Sequence, residues 1–157
     1  MSRRWNLWII VLALGAAGAL AGAAFAADTA DGQAVFAKRA DTMKQMGKPF
    51  YLTIGRAVRA GKPPDPDIAD AAKTVAGLAQ NLTPALFAPG SAVGATKMKP
   101  EIFQDPARVA GLTDQARAAV AKLEAAAEGG DKDALAAAYH AAADACAACH
   151  KAFRNED

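Results

Sequence analysis

The chain has 157 residues, with 18 Lys and Arg against 16 Asp and Glu, a formal net charge of +2, two cysteines and two histidines. That length fits one domain, and so even a balance gives no reason to expect nucleic acid or an anionic membrane surface as the partner. Only two cysteines exclude a disulfide-dense scaffold.

The chain opens MSRRWNLWIIVLALGAAGALAGAAFAADTADGQ. Arg3 and Arg4 precede an uncharged run from Trp5 to Ala27, and Ala24-Phe25-Ala26 fits an A-x-A cleavage pattern. This is the anatomy of a secretory signal peptide, residues 1–26, with the mature domain at 27–157. The rival reading is an uncleaved anchor, because the apolar run is long enough to span a bilayer. Ser2-Arg3-Arg4 hints at a twin-arginine signal, which Asn6 argues against. Loss of the two arginines leaves a mature net charge near zero.

The mature part is alanine-rich and poor in β-branched residues, which favours helix. A first helix is predicted from about Ala30 to Arg59, with Val35, Phe36, Met43, Met46, Phe50, Ile54 and Val58 at helical spacing. Pro49 falls inside it and is expected to kink or split it. After Gly61-Lys62-Pro63-Pro64, Asp65-Pro66 offers an N-cap with proline at the first helical position. The second helix then runs to about Leu82. Residues 83–105 hold Pro84, Pro89, Gly90, Gly94 and Pro100, a connection too long for a hairpin. Asp105-Pro106 repeats the start signal for a third helix ending near Glu128. Gly129-Gly130 closes it, and Asp131 caps a fourth helix. The predicted fold is an all-α four-helix bundle with one long crossover between helices 2 and 3.

The fourth helix carries the chemistry. It ends in CAACH, residues 146–150. On a helix, positions i, i+3 and i+4 share a face, so Cys146, Cys149 and His150 point one way. A disulfide suits an exported protein, but i,i+3 spacing within a helix fits its geometry poorly. A structural zinc wants a fourth ligand, and the only other histidine, His140, lies ten residues back on the same helix. A thioredoxin-like pair normally opens a helix in a βαβ setting. Covalent haem attachment accounts for every element: each thiol adds to a haem vinyl group, and His150 becomes an axial iron ligand.

Four stretches carry a resemblance to a known family: KRADTMKQMG (38–47), LFAPGSAVGATKMKPEIF (86–103), DPARVAGL (105–112) and CAACHKAFR (146–154). Together they resemble cytochrome c′, a periplasmic four-helix-bundle haem protein of bacteria, over nearly all of residues 30–155. Three positions depart from its usual pattern: Pro49, Pro84 and Phe103. The resemblance implies one haem c, with His150 as the proximal ligand of a five-coordinate, high-spin iron. The other face then binds nitric oxide or carbon monoxide. It also implies a homodimer through the first two helices, and a role in gas binding or in electron transfer with an unidentified redox partner.

The resemblance also assigns pocket residues. Arg39 pairs with a haem propionate, the reading favoured over a solvated edge of the apolar stripe. Met43 sits over the distal iron face, where low-spin relatives of the fold use methionine as sixth ligand and act as electron carriers. Met46 is the backup position. Phe87 packs near the haem or anchors the loop in the core. Arg154 leans over the proximal side, one turn beyond His150. Phe153 covers the proximal edge, and Lys97, Lys99 and Glu101 lie near the propionates. His140 reads as a surface residue. No catalytic acid or base stands out, so the chain reads as a binding or electron-transfer protein and not an enzyme.

Overall fold

The computed structural model describes residues 18–155, with side-chain environments from residue 31 onward. The basic start of the leader and most of its apolar run lie outside the described residues. Five α-helices follow in order: α1 (Gly18–Gly47), α2 (Gly55–Arg59), α3 (Pro66–Ala79), α4 (Pro106–Glu128) and α5 (Lys132–Phe153). A π-helical segment, Lys48–Ile54, joins α1 directly to α2. α1, the π segment and α2 thus form one continuous rod, and the architecture is a four-helix bundle.

The rod departs from the sequence expectation at both places where its local chemistry is unusual. It is already helical at Gly18, where the described residues begin, upstream of Ala30, in keeping with the high helix propensity of the Ala-rich stretch there. At Pro49 it neither breaks nor splits. Proline has no N–H to give the carbonyl four residues back, and its ring crowds that carbonyl. The backbone widens instead into π turns, with Gly55 N–H donating to Phe50 O five residues back. The wider turn keeps Phe50, Ile54 and Ala57 buried while Tyr51 and Leu52 stay exposed.

The other helices start where their caps dictate. Asp65 accepts from Ile68 N–H at 2.9 Å and Asp105 from Arg108 N–H at 2.9 Å. Asp131 accepts from both Asp133 and Ala134 N–H. Each satisfies donors that a helix start leaves without partners. α3 ends at Ala79 rather than Leu82; a tight turn carries Leu82 into the core, where it stays buried.

α4 packs along both α3 and α5, and the π segment packs on α3. Ile54, Val75, Val109, Val120, Leu123 and Leu135 fill the centre. The crossover has two short 3₁₀ turns, Pro84–Phe87 and Pro100–Phe103. Between them Gly90 adopts φ +82°, a left-handed conformation suited to glycine. α1 meets the crossover there: a Cβ on Gly32 would lie 2.2 Å from Gly90 O, so the two backbones touch only because Gly32 has no side chain.

Candidate functional site

α5 brings Cys146, Cys149 and His150 to one face, as the spacing requires, in its last two turns. All three line a cavity of about 420 Å³. The opposite walls are Met43 and Met46 of α1, Phe50 and Tyr51 of the π segment, and Leu112, Ala116 and Val120 of α4. A second cavity of about 350 Å³ adjoins it, sharing Met43, Phe87, Cys149, His150 and Arg154 as walls. This second space reaches Phe36, Arg39, Lys97, Met98 and Phe153. Both volumes are in the range of small-molecule and cofactor sites, and the lining is mostly apolar with a few converging polar groups.

The three α5 groups are electrically neutral in this setting. Burial pushes both thiols above their ordinary value, and for Cys146 the neighbouring Cys149 adds to the rise. Burial, and then the Arg154 charge, lower His150, which keeps the imidazole uncharged. An uncharged imidazole is the form that ligates a metal. Thiols held protonated late in a helix are unlike the low-pKa, helix-N-terminal thiol of a dithiol oxidoreductase. Both cysteines are free. Among the described residues no group of three or more His, Cys, Asp or Glu side chains is placed to hold a metal ion by itself.

Arg39 is not at a solvated edge. It is 7% exposed and uses its fork on the crossover, donating to Leu86 O at 3.0 Å, Ser91 Oγ at 2.9 Å and Ser91 O at 2.8 Å. Ser91 is wholly buried, and its hydroxyl donates to Ala88 O at 2.7 Å. Burial lowers the Arg39 pKa from its ordinary value. None of these three acceptors is a carboxylate, although the guanidinium borders the second cavity. Guanidinium has two N–H groups beyond the three engaged here. A cavity with such a cation on its wall suits a ligand bearing an anionic group.

Phe87 is buried and lines both cavities, and Met43 lines both while only partly buried. Met46 borders only the larger one. Phe153 is buried on the wall of the smaller, with the Arg108 guanidinium 5.4 Å from its ring centre. His140 is exposed on α5. Lys97 lines the smaller cavity, whereas the Lys99 ammonium donates to Lys151 O at 3.4 Å.

Sequence reasoning missed a clasp. Lys99 N–H donates to Phe153 O at 2.8 Å and Asn155 N–H to Lys97 O at 2.7 Å, with an antiparallel bridge between Met98 and Arg154. The crossover is thereby zipped to the chain just beyond His150. Backbone pairing across such a separation leaves no periodic signal in the sequence. Ser91 was also missed; a serine in a Gly/Pro-rich loop reads as solvated until a buried arginine is seen against it.

Two adjoining, mostly apolar cavities are thus bordered by Cys149 and His150 of α5. The family model described as cytochrome C′ matches residues 33–154. The chain belongs to the cytochrome c′ family. Among its relatives are a cytochrome c-554 of Cereibacter sphaeroides and a cytochrome c′ of Rhodospirillum rubrum. The first is 34% identical over 108 residues, 66% of this chain and 80% of that protein. The second is 37% identical over 87 residues, 55% of this chain and 58% of that one. The fold is similar to cytochrome c′ from Thermochromatium tepidum, with a TM-score of 0.73 at 29% identity. It is also similar to a nitric oxide complex of a mutant cytochrome c prime from Alcaligenes xylosoxidans, with a TM-score of 0.69 at 29% identity. Each covers 80% of this chain and 97% of the solved one. Cytochromes c′ carry covalently bound haem c, and haem c is the cofactor of this chain.

Proposed function

We propose that Cys146 and Cys149 hold the haem through two thioethers, that His150 supplies the axial imidazole, and that the face toward Met43 is open to nitric oxide and carbon monoxide. One observation carries this reading: Cys146, Cys149 and His150 line a single cavity that Met43 enters from α1. Haem, when bound, would supply a redox-active iron able to take a small ligand. The chain's own residues do the rest. Leu112, Ala116 and Val120 keep the cavity apolar, which favours small uncharged ligands. Arg154, one turn beyond His150, tunes the charge around the imidazole. Arg39 holds the crossover in place, and its remaining donors are proposed to take a propionate. Phe87 packs against the ring.

The protein is further proposed to act in the periplasm after cleavage behind Ala26. No helix among the described residues is long and apolar enough to cross a membrane. Mass spectrometry of the exported protein, showing Ala27 at its N-terminus, checks the cleavage site. A homodimer through the first two helices is the proposed assembly, checked by sedimentation.

Because Met43 lines both cavities beside His150, the second reading is a low-spin His/Met electron carrier. Optical and EPR spectra of the haem-loaded protein separate the two. The expected result is a high-spin, five-coordinate signal that Met43→Leu leaves nearly unchanged. Conversion from low to high spin on that substitution establishes the electron-carrier reading instead.

A further inference from the structure

The lining of the larger cavity is mostly apolar, so its few polar side chains decide what a ligand there can bond to. Apart from Cys146, Cys149, His150 and Arg154, the polar side chains bordering it among the described residues are Lys44, Tyr51 and Thr113. Thr113 is buried, and its one hydroxyl proton is donated to Ala110 O at 3.0 Å. Lys44 is exposed, and its long stem lets the ammonium reach water. Tyr51 differs from both. Its hydroxyl has no hydrogen-bond partner among the described residues. Its ring is half-exposed, and the cavity is what that open surface borders.

The local sequence brings Tyr51 to this wall. It follows Met43 by eight residues. The π turns of Lys48–Ile54 take more residues per turn than an α-helix, so about two turns return Tyr51 to the Met43 side of the rod. Met43, Met46, Phe50 and Tyr51 then share the wall opposite His150. Ring contacts hold the side chain there. Tyr51 stands edge-on to Phe50, with ring centres 5.0 Å apart at 87°. Phe50 is itself buried and stacked on Tyr139, at 4.9 Å and 28°. Tyr139 fits so closely because position 55 is glycine; a Cβ there would lie 2.5 Å from the Tyr139 hydroxyl. Aromatic pairs in these geometries attract beyond their buried area, so the Tyr51 ring is positioned rather than loose. Burial, then Cys146 and Tyr139, raise the phenol above its ordinary value against a lowering by Arg154, so at neutral pH the oxygen keeps the proton a donor needs.

We propose that the Tyr51 hydroxyl is the hydrogen-bond donor to a small ligand bound on the Met43 side of the cofactor, and that it makes this site favour nitric oxide over carbon monoxide. This rests on reading that face as open to both gases. A diatomic that draws electron density from ferrous iron gathers negative charge on its outer atom, nitric oxide more than carbon monoxide. A neutral donor fixed in an apolar cavity stabilises that charge without moving to meet it.

The test uses the haem-loaded ferrous chain, with carbon monoxide as the first probe. A hydrogen bond to the bound ligand lowers the C–O stretching frequency. Tyr51→Phe keeps the ring and removes only the hydroxyl, and its infrared band is expected at higher frequency than that of the wild type. In heavy water the wild-type band shifts and the variant band does not, a readout that altered packing leaves unmoved. Lys44→Met leaves the band in place. Nitric oxide is the second probe. Its release is expected to be about fivefold faster in Tyr51→Phe, the effect of one ordinary hydrogen bond, while carbon monoxide release changes by less. An identical band in wild type and Tyr51→Phe, with carbon monoxide bound to both, overturns the assignment alone. A band that moves in Lys44→Met and not in Tyr51→Phe also overturns it, because the donor is then Lys44. A wild-type chain that takes up no carbon monoxide overturns the open-face reading and the assignment with it.

Discussion

α5 and the rod of α1, π segment and α2 face each other across the same cavity and are built differently. α5 is regular from its Asp131 cap to Phe153, and three functional groups fall on one face by helical spacing alone. The rod is irregular where it matters: the π turns at Pro49 aim Phe50 and Tyr51 at the cavity, and Arg39 reaches across to the crossover. On the proposed reading, the regular wall is where the cofactor is attached. The irregular wall, held by long-range contacts, decides what the free face of that cofactor meets. π segments inside α-helices occur frequently at functional sites, and here the segment forms part of the wall itself.

The sharpest way to separate the two walls is to disable the first. Cys146→Ala/Cys149→Ala is expected to abolish covalent haem, so that acid–acetone extraction leaves colourless protein; a pink residue after extraction would refute attachment through α5. Removing the tie of the second wall has a smaller effect. Arg39→Met leaves buried carbonyls of Leu86 and Ser91 without donors and is expected to lower stability by about 3 kcal/mol, measured by urea unfolding of the haem-loaded protein. Arg39→Lys recovers only part of this, because one ammonium cannot span the fork. A loss below about 0.5 kcal/mol for the methionine variant would mean that the crossover is held elsewhere.

Gly32→Ala acts on the same wall through sterics. Its Cβ meets Gly90 O, and a loss of about 2 kcal/mol is expected. The signature is faster hydrogen exchange across residues 86–99 with α4 and α5 unchanged; uniform exchange would show that the two walls fold as one unit. The smallest effect belongs to the cap of α5. Two backbone N–H bonds hold the Asp131 carboxylate below its ordinary value. A carboxylate depressed by folding contributes stability that is complete above its unfolded pKa and lost as pH falls through the folded value. Asp131→Asn is therefore expected to flatten stability against pH only in the acid range, below about pH 4, as read by thermal melts. A difference confined to neutral pH would contradict the cap's role.

Legibility follows the same division. The three N-caps, the short turn between α4 and α5 and the Cys146/Cys149/His150 face are local, so spacing and residue type were enough to find them. Pro49 was visible as a disturbance, but its result was not: the choice between a kink and a π widening depends on what the rod packs against, here α3. Arg39 illustrates the limit most plainly. Its place on an apolar stripe marked it as unusual, yet only the fold brings Ser91 and Leu86, far along the chain, within hydrogen-bonding distance.

By itself the sequence determined the helices, their order, the long crossover and the shared face of Cys146, Cys149 and His150, because caps, helical periodicity and a three-residue motif act over a few bonds. The tertiary structure alone decided that Met43, Phe87 and Tyr51 border the cavity His150 enters, and that Arg39 and the 97–99 clasp hold the crossover. Those outcomes depend on which distant surfaces fill one another's space. Packing of that kind is cooperative over the whole chain and has no local spacing to betray it.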